Sequence, residues 1–195
     1  MNKYKILCVI SAREGSKGIK NKNIIDLYGK PLIAWSILHA KKSKYIDEVY
    51  VSTDSPKIAK ISKSYGAKVP FLRSKNIATR DASKFLVWKD ALKKIEKINK
   101  TSYDFFFDLD CTNPLRSYKD VDKICKIFLK KYQKFDGIYT ISKARKNPYF
   151  NVVEQNRSLA LEVSKKIKTR PTSRQSAPKV YDQVASMYLF NSSFI

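Results

Sequence analysis

The sequence predicts an α/β fold built on a mostly parallel sheet. Apolar runs of strand length alternate with segments of helical period along the first two thirds of the chain. The basic glycine stretch "AREGSKGIKNKN", residues 12–23, directly follows the first apolar run. Two aspartates alternate at the end of a later run, "YDFFFDLD". Alternation of this kind builds crossover units, and crossovers are right-handed, so successive strands lie parallel and their C-terminal ends open on one edge, where ligands bind.

In order, "YKILCVI" is the first strand. A helix follows from Pro31 to Lys41, where proline suits the first turn and Leu32, Ile33, Ile37 and Leu38 share one apolar face. "EVYVST" is the second strand, Pro56 to Tyr65 the second helix, and Ser83 to Ile98 the third. "YDFFFDLD" is the central strand and Tyr118 to Tyr132 the fourth helix. After about residue 136 the pattern changes to short β-like pieces, "GIYTIS", "YFNVVE" and "SMYLF", separated by basic loops that contain proline. That part reads as a lobe or an oligomer arm.

A chain of 195 residues with 43% hydrophobic content supports one core and a single domain. The apolar part of the N-terminus, Ile6 to Ile10, is shorter than the ~7–15 residues of a signal h-region. No stretch is long enough to span a bilayer, so a soluble cytoplasmic protein with no membrane partner is expected. Cys8, Cys111 and Cys125 are odd in number and widely spaced, which argues for reduced structural thiols. The net charge of +23 invites a nucleic-acid reading. The lysines, however, are scattered at spacings that solvate the outer faces of helices, and no nucleic-acid motif accompanies them. The expectation is no nucleic-acid partner, with a field that steers an anionic small molecule.

Four constellations bear chemistry. In the loop after strand one, Gly15 and Gly18 let backbone N–H groups turn inward, while Arg13, Lys17 and Lys22 can surround a polyphosphate. It matches neither the Walker A nor the dinucleotide spacing, and a solvated basic turn stands beside the phosphate reading. In "VSTDS", Asp54 reads first as a cap for the helix beginning at Pro56. In "FFFDLDCTNPLR", alternation places Asp108 and Asp110 on one face, spaced to share a divalent cation, unless one is a buried structural acid. In "RPTSRQSAP", Arg170 and Arg174 offer a fork for a carboxylate, or a solvated loop. His39 is the single histidine and lies inside a helix, so a histidine-based triad is not expected.

"AREGSKGIKNKNI", "GKPLIAW", "VSTDS", "FLRSKNIATRDAS", "LDCTNPLRS" and "RQSAPKVYDQVASMYLF" together resemble, in order and spacing, the CMP-nonulosonic acid cytidylyltransferases, the CMP-sialic acid synthetase family. The resemblance covers essentially the whole chain. It implies a three-layer, nucleotide-diphospho-sugar transferase-like (Rossmann-like) fold with a small dimerisation arm, and a homodimer. Residues 1–195 then form one cytidylyltransferase domain: a nucleotide-binding core at 1–136, the arm at 137–180, and a return to the core at 181–195. The implied reaction takes CTP and an acidic nine-carbon sugar to CMP-sugar and pyrophosphate, with Mg2+ as cofactor.

Carried onto this chain, the resemblance implies Arg13 and Lys22 as catalytic cations. It implies Ala12, Arg13, Ser16, Lys17, Lys22, Asn23, Arg73, Asp81 and Ser83 on the nucleotide side, and Asp110, Arg116, Arg174 and Gln175 on the sugar side. Asp108 and Asp110 are the candidate metal ligands. The chain departs from the family in three places. Asp110 stands where sialic-acid enzymes carry a glutamine, which with "NPYFNVVE" and "APKVYD" points to the branch for legionaminic-type sugars. Val184 replaces an asparagine. The chain also ends at Ile195, where family members continue into a segment with acidic metal ligands, so a truncated form is expected unless those ligands are supplied otherwise. The alternatives are a binding remnant without turnover and a ketodeoxyoctonate cytidylyltransferase.

Overall fold

The computed structural model describes residues 4–16, 18–79 and 81–195. In chain order the elements are β1 (Ile6–Ser11), β2 (Asp26–Leu27), β3 (Lys30–Pro31), α1 (Leu32–Lys42), β4 (Glu48–Ser52), α2 (Pro56–Ser64), α3 (Lys84–Asn99), β5 (Phe105–Leu109), α4 (Tyr118–Leu129), β6 (Gly137–Lys143), β7 (Val153–Gln155), β8 (Leu161–Val163) and β9 (Tyr181–Asn191). The chain divides into two compact units, one running to Thr140 and resuming at Ala185–Ile195, the other Ile141–Val184.

The first unit is organised by a five-stranded sheet in the order β4-β1-β5-β9-β6. β1 pairs in parallel with β4 and β5, as right-handed crossovers require, whereas β9 returns antiparallel to β5 with Phe107 opposite Leu189. The sheet is therefore mixed, with a parallel core. Strand alternation splits its side chains between two apolar layers. Ile6, Cys8, Ile10, Phe105, Phe107 and Leu109 pack in one cluster with Ile33 and Ile37 of α1 and Val121 and Phe128 of α4. Leu7, Val9 and Phe106 pack in the other with Trp88, Leu92 and Ile95 of α3. The same alternation puts Asp108, wholly buried, on the α3 side with Phe106.

Two local differences from the sequence expectation have plain causes. Pro31 lies in β3, not in the helix. Tyr28 (φ 52°) and Gly29 (φ 75°) both adopt the left-handed conformation that closes a two-residue hairpin, and α1 begins one residue later. Asp54 does not cap α2. Ser55 holds the N-cap position, one residue later, and Asp54 instead accepts the N–H of Glu14 at 2.9 Å, tying the loop after β1 to the end of β4.

The second unit is a hairpin with ordered loops. β7 and β8 pair antiparallel, with Glu154 opposite Glu162. Asn147, almost wholly buried, holds its loops by donating to the Pro178 carbonyl and accepting from the Tyr149 N–H, both at 2.9 Å. Among the described residues no helix is long and apolar enough to cross a membrane.

Candidate functional site

The C-terminal ends of β1, β4 and β5 meet at one edge of the sheet, where the loops leaving β1 and β5, the segment around Arg73 and the start of α3 line an open cavity of about 470 Å3. Arg13, Ser16, Lys22, Asn23, Arg73 and Asp110, drawn from three separate stretches of sequence, all line it. The loop after β1 takes its shape from backbone geometry: Gly15 has φ +71° and Asn21 φ 53°, left-handed conformations that turn the chain back over the edge. Gly18 lines the cavity without a positive φ, in open space. Lys17 lies outside the described residues.

Asn23 is buried and braces this loop. Its Nδ2 donates to the Arg13 carbonyl at 2.9 Å, and its Oδ1 accepts from Cys111 Sγ at 3.1 Å, linking the loop to the end of β5. Ala12 is buried and donates its N–H to the Ser52 carbonyl at 3.0 Å, so its part in the site is that of backbone. Arg73, 6% exposed, donates from Nη2 to the same Ser52 carbonyl at 3.0 Å, and burial draws its pKa below the usual arginine value. Its buried Nε has no partner among the described residues.

Asp81 and Ser83 flank the cavity without lining it. Asp81 is exposed, and Ser83 caps α3 by accepting the Phe85 N–H at 3.2 Å. Between and beside them, Ala82 and Lys84 do line it. Arg116 is not a lining residue. Its guanidinium is buried, donating to Ser36 Oγ at 2.6 Å and to the Asn113 carbonyl at 2.7 Å, which makes it the anchor of the loop after β5. Arg174 and Gln175 belong to the second unit, where both are exposed and line a hollow of about 460 Å3. Arg170 lines a different hollow of that unit, so the two-arginine fork is not assembled there.

Lys84 is the residue that sequence reasoning missed. Its Nζ donates to Asp108 Oδ2 at 2.8 Å and to Asp110 Oδ2 at 3.1 Å. Asp110 Oδ1 in turn accepts from the N–H and hydroxyl of Thr112, at 2.8 and 2.6 Å. Burial holds Asp108 above the ordinary aspartate pKa despite the pull of Lys84. Burial also works to raise Asp110, but the Lys84 charge and the Thr112 hydrogen bonds outweigh it and bring that carboxyl below its usual value. For Lys84 itself, burial is overcome by the two carboxylates, which raise its pKa. Its position offered a signal, because a lysine opening a helix stands against the macrodipole and calls for nearby anions.

Arg13, Lys22, Arg73 and Lys84 thus face the cavity, with Asp110 the one acid among its described lining residues. Such a site suits a polyanion that sits against loop and strand ends at this edge. Among the described residues, no group of three or more His, Cys, Asp or Glu side chains is gathered so as to hold a metal ion.

Residues 7–194 match the family described as Cytidylyltransferase. The chain is 42% identical over 193 residues to post-translational flagellin modification protein B of Campylobacter coli, covering 97% of this chain and 79% of that protein. It is 40% identical over 193 residues to the CMP-N,N'-diacetyllegionaminic acid synthase of Campylobacter jejuni, with the same coverage. The solved structure of CMP:2-keto-3-deoxy-manno-octonic acid synthetase complexed with CTP superposes with a TM-score of 0.67 at 19% identity, covering 96% of this chain and 74% of that one. At that identity the likeness concerns the fold.

Proposed function

The chain belongs to the cytidylyltransferase family, in its CMP-nonulosonic acid group, and from that premise we propose that it transfers CMP from CTP to a nonulosonic acid of legionaminic or sialic type, releasing pyrophosphate. The observation that carries this reading is the joining of Arg13, Lys22 and Arg73 around one cavity at the ends of β1 and β4. Cations fixed in a partly water-excluded cavity stabilise charge developing on a transferring phosphoryl group without reorganising.

The triphosphate lies against the loop after β1, with Arg13 and Lys22 on its oxygens, Ser16 and Lys17 beside them, and Asn23 holding the loop's shape. Ala12, Arg73, Asp81 and Ser83 complete the nucleotide side. The anomeric hydroxyl of the sugar attacks the α-phosphorus in line. A sugar-oxygen-to-phosphorus bond forms as the bond to the β-phosphate oxygen breaks, the hydroxyl proton is lost, and pyrophosphate leaves. Direct displacement needs positioning and charge stabilisation but no covalent enzyme intermediate. Asp110, at the end of β5, is assigned to the sugar side of this cavity; Arg174 and Gln175, in a hollow of the second unit, are separately assigned to contacts with an acidic sugar.

Magnesium belongs to this reading as the companion of the triphosphate, since Mg2+ keeps several waters and binds mainly through substrate phosphates with one or two carboxylates. The carboxylates of Asp108 and Asp110 do not fit it as they stand, because both hold Lys84.

We assign residues 1–195 to one cytidylyltransferase domain and the Ile141–Val184 unit to contacts within a homodimer. That unit exposes Ile141, Val153, Leu159, Leu161, Ile167 and Tyr181. Cys8, Cys111 and Cys125 of the first unit, free and buried, suit a cytoplasmic setting. The test of function is pyrophosphate release from CTP with a legionaminate, a pseudaminate, N-acetylneuraminate or a ketodeoxyoctonate offered in turn. Release with a nonulosonic acid supports the assignment; CTP binding by calorimetry with no release from any acidic sugar contradicts it.

A further inference from the structure

Lys84 sits where elementary electrostatics would not place a lysine unless something held it. At the first position of α3 the helix dipole repels a cation. It is held by Asp108 Oδ2 and Asp110 Oδ2, at 2.8 and 3.1 Å, and it lies over the Tyr188 ring at 4.5 Å and the Trp88 ring at 5.7 Å. The two carboxylates come from alternate residues at the end of β5, and the Asp108 side chain is 1% exposed. Its Oδ1 and the indole N–H of Trp88 are both buried without a hydrogen bond of good geometry, although the indole still favours the charged carboxylate.

Two carboxylates with one oxygen each on a shared cation is the arrangement a divalent ion would adopt, and here the cation is a side chain. Without it, two like charges would face each other in a largely buried place, which is costly. We propose that Lys84 is the resident cation of the Asp108–Asp110 pair: the pair holds this ammonium and not a divalent ion, and this wall of the cavity presents a lysine N–H to an anionic ligand. An ammonium has three donors, two are spent on the carboxylates, and the side chain lines the cavity. Any metal that travels with a polyphosphate is then held by the phosphates and by groups other than this pair. The proposal deepens the cytidylyltransferase reading and rests on it only for the identity of the anionic ligand.

The experiment uses Mn2+ alone, without nucleotide, so its outcome is independent of turnover. Free Mn2+ is followed by electron paramagnetic resonance against the wild-type chain, Asp110→Asn and Lys84→Met. The wild type and Asp110→Asn are expected to show no saturable site up to about 1 mM Mn2+, and Lys84→Met to gain one site at least about ten-fold tighter, since affinity follows the uncompensated ligand charge. A wild-type site that Asp110→Asn removes would overturn the proposal, as would a folded Lys84→Met that gains none. Should Lys84→Met fail to fold, the Lys84 ammonium resonance of the wild type, assigned with Lys84→Arg, decides. It stays unchanged on adding about 10 mM Mg2+ if the ammonium keeps its place, and a shift or loss that Asp110→Asn abolishes overturns the proposal.

Discussion

Arg116 donates from Nη2 to the hydroxyl of Ser36 at 2.6 Å, across 80 residues of sequence, and Ser36 Oγ donates on to the Asp110 carbonyl at 3.4 Å. The loop that follows β5 is thereby fastened to α1 beneath the cavity. Ser36→Ala leaves a buried guanidinium short of an acceptor, and it is expected to cost about 1–3 kcal/mol. Urea unfolding followed by circular dichroism measures this; an unchanged midpoint would show that the contact does not hold the loop.

Arg13 and Lys22 face the cavity and are not part of the core. Replacing either by alanine is expected to lower kcat/KM for CTP by about 10- to 150-fold, the equivalent of one lost charge-assisted hydrogen bond of ~1.5–3 kcal/mol. The same variants are expected to stay within about 0.5 kcal/mol of wild-type stability. Steady-state kinetics beside thermal unfolding separates the two effects, and a matching loss of stability would point to a structural role.

Glu48 gathers hydrogen bonds from Lys68 (2.6 Å), Tyr50 (3.2 Å), Asn99 (2.9 Å) and Tyr103. Burial works to raise its pKa, but the bonds from Lys68 and Tyr103 prevail and bring it below the ordinary 4.5. A carboxylate depressed on folding contributes stability that is present above its unfolded pKa and lost as pH falls through the folded one. Glu48→Gln is therefore expected to be less stable than wild type at neutral pH, with the gap narrowing as the pH falls below 4.5. A gap of constant size in urea titrations across that range would contradict the ionic origin.

Cys8, Cys111 and Cys125 are free and buried. Burial, with the nearby charges of Asp110 and Asp108, pushes the Cys111 thiol up to about 12, and burial, then Asp122, pushes Cys125 up to about 12. Burial likewise raises Cys8. A thiol with such a value is on the order of one part in ten thousand thiolate at pH 8. The native protein is expected to leave a thiol-reactive disulfide dye unreacted and the urea-unfolded chain to titrate all three cysteines. Rapid labelling of native Cys111 would mean that its contact with Asn23 opens readily.

The sheet's parallel core was legible because buried strands are apolar runs and the helices between them carry a clear period, from "ILCVI" to "FFFDL". The loop at residues 12–23 was legible for a different reason: a glycine turn needs no tertiary context to suggest inward-facing amides. What stayed hidden depends on long-range partners. Nothing near Lys84 in sequence names Asp108 as its acceptor, since β5 meets α3 only through the sheet's alternation. The resemblance placed Arg116 on the sugar side, and its burial could not be read from a single loop arginine, since its partner Ser36 lies far off in sequence on α1. Asp54 carried a local capping signal, yet Ser55 stands at the N-cap, and the Asp54 carboxylate serves Glu14 across 40 residues of sequence.

The most direct measurement is phosphorus NMR of CTP, Mg2+ and a legionaminate-type acid incubated with the wild-type chain and with Lys22→Ala. The wild type is predicted to convert CTP into equal amounts of pyrophosphate and a CMP-sugar phosphodiester, with Lys22→Ala slower under the same conditions. CTP left intact by a folded, CTP-binding wild type across the acidic nine-carbon sugars, or equal rates for the two proteins, would contradict the assignment of this cavity.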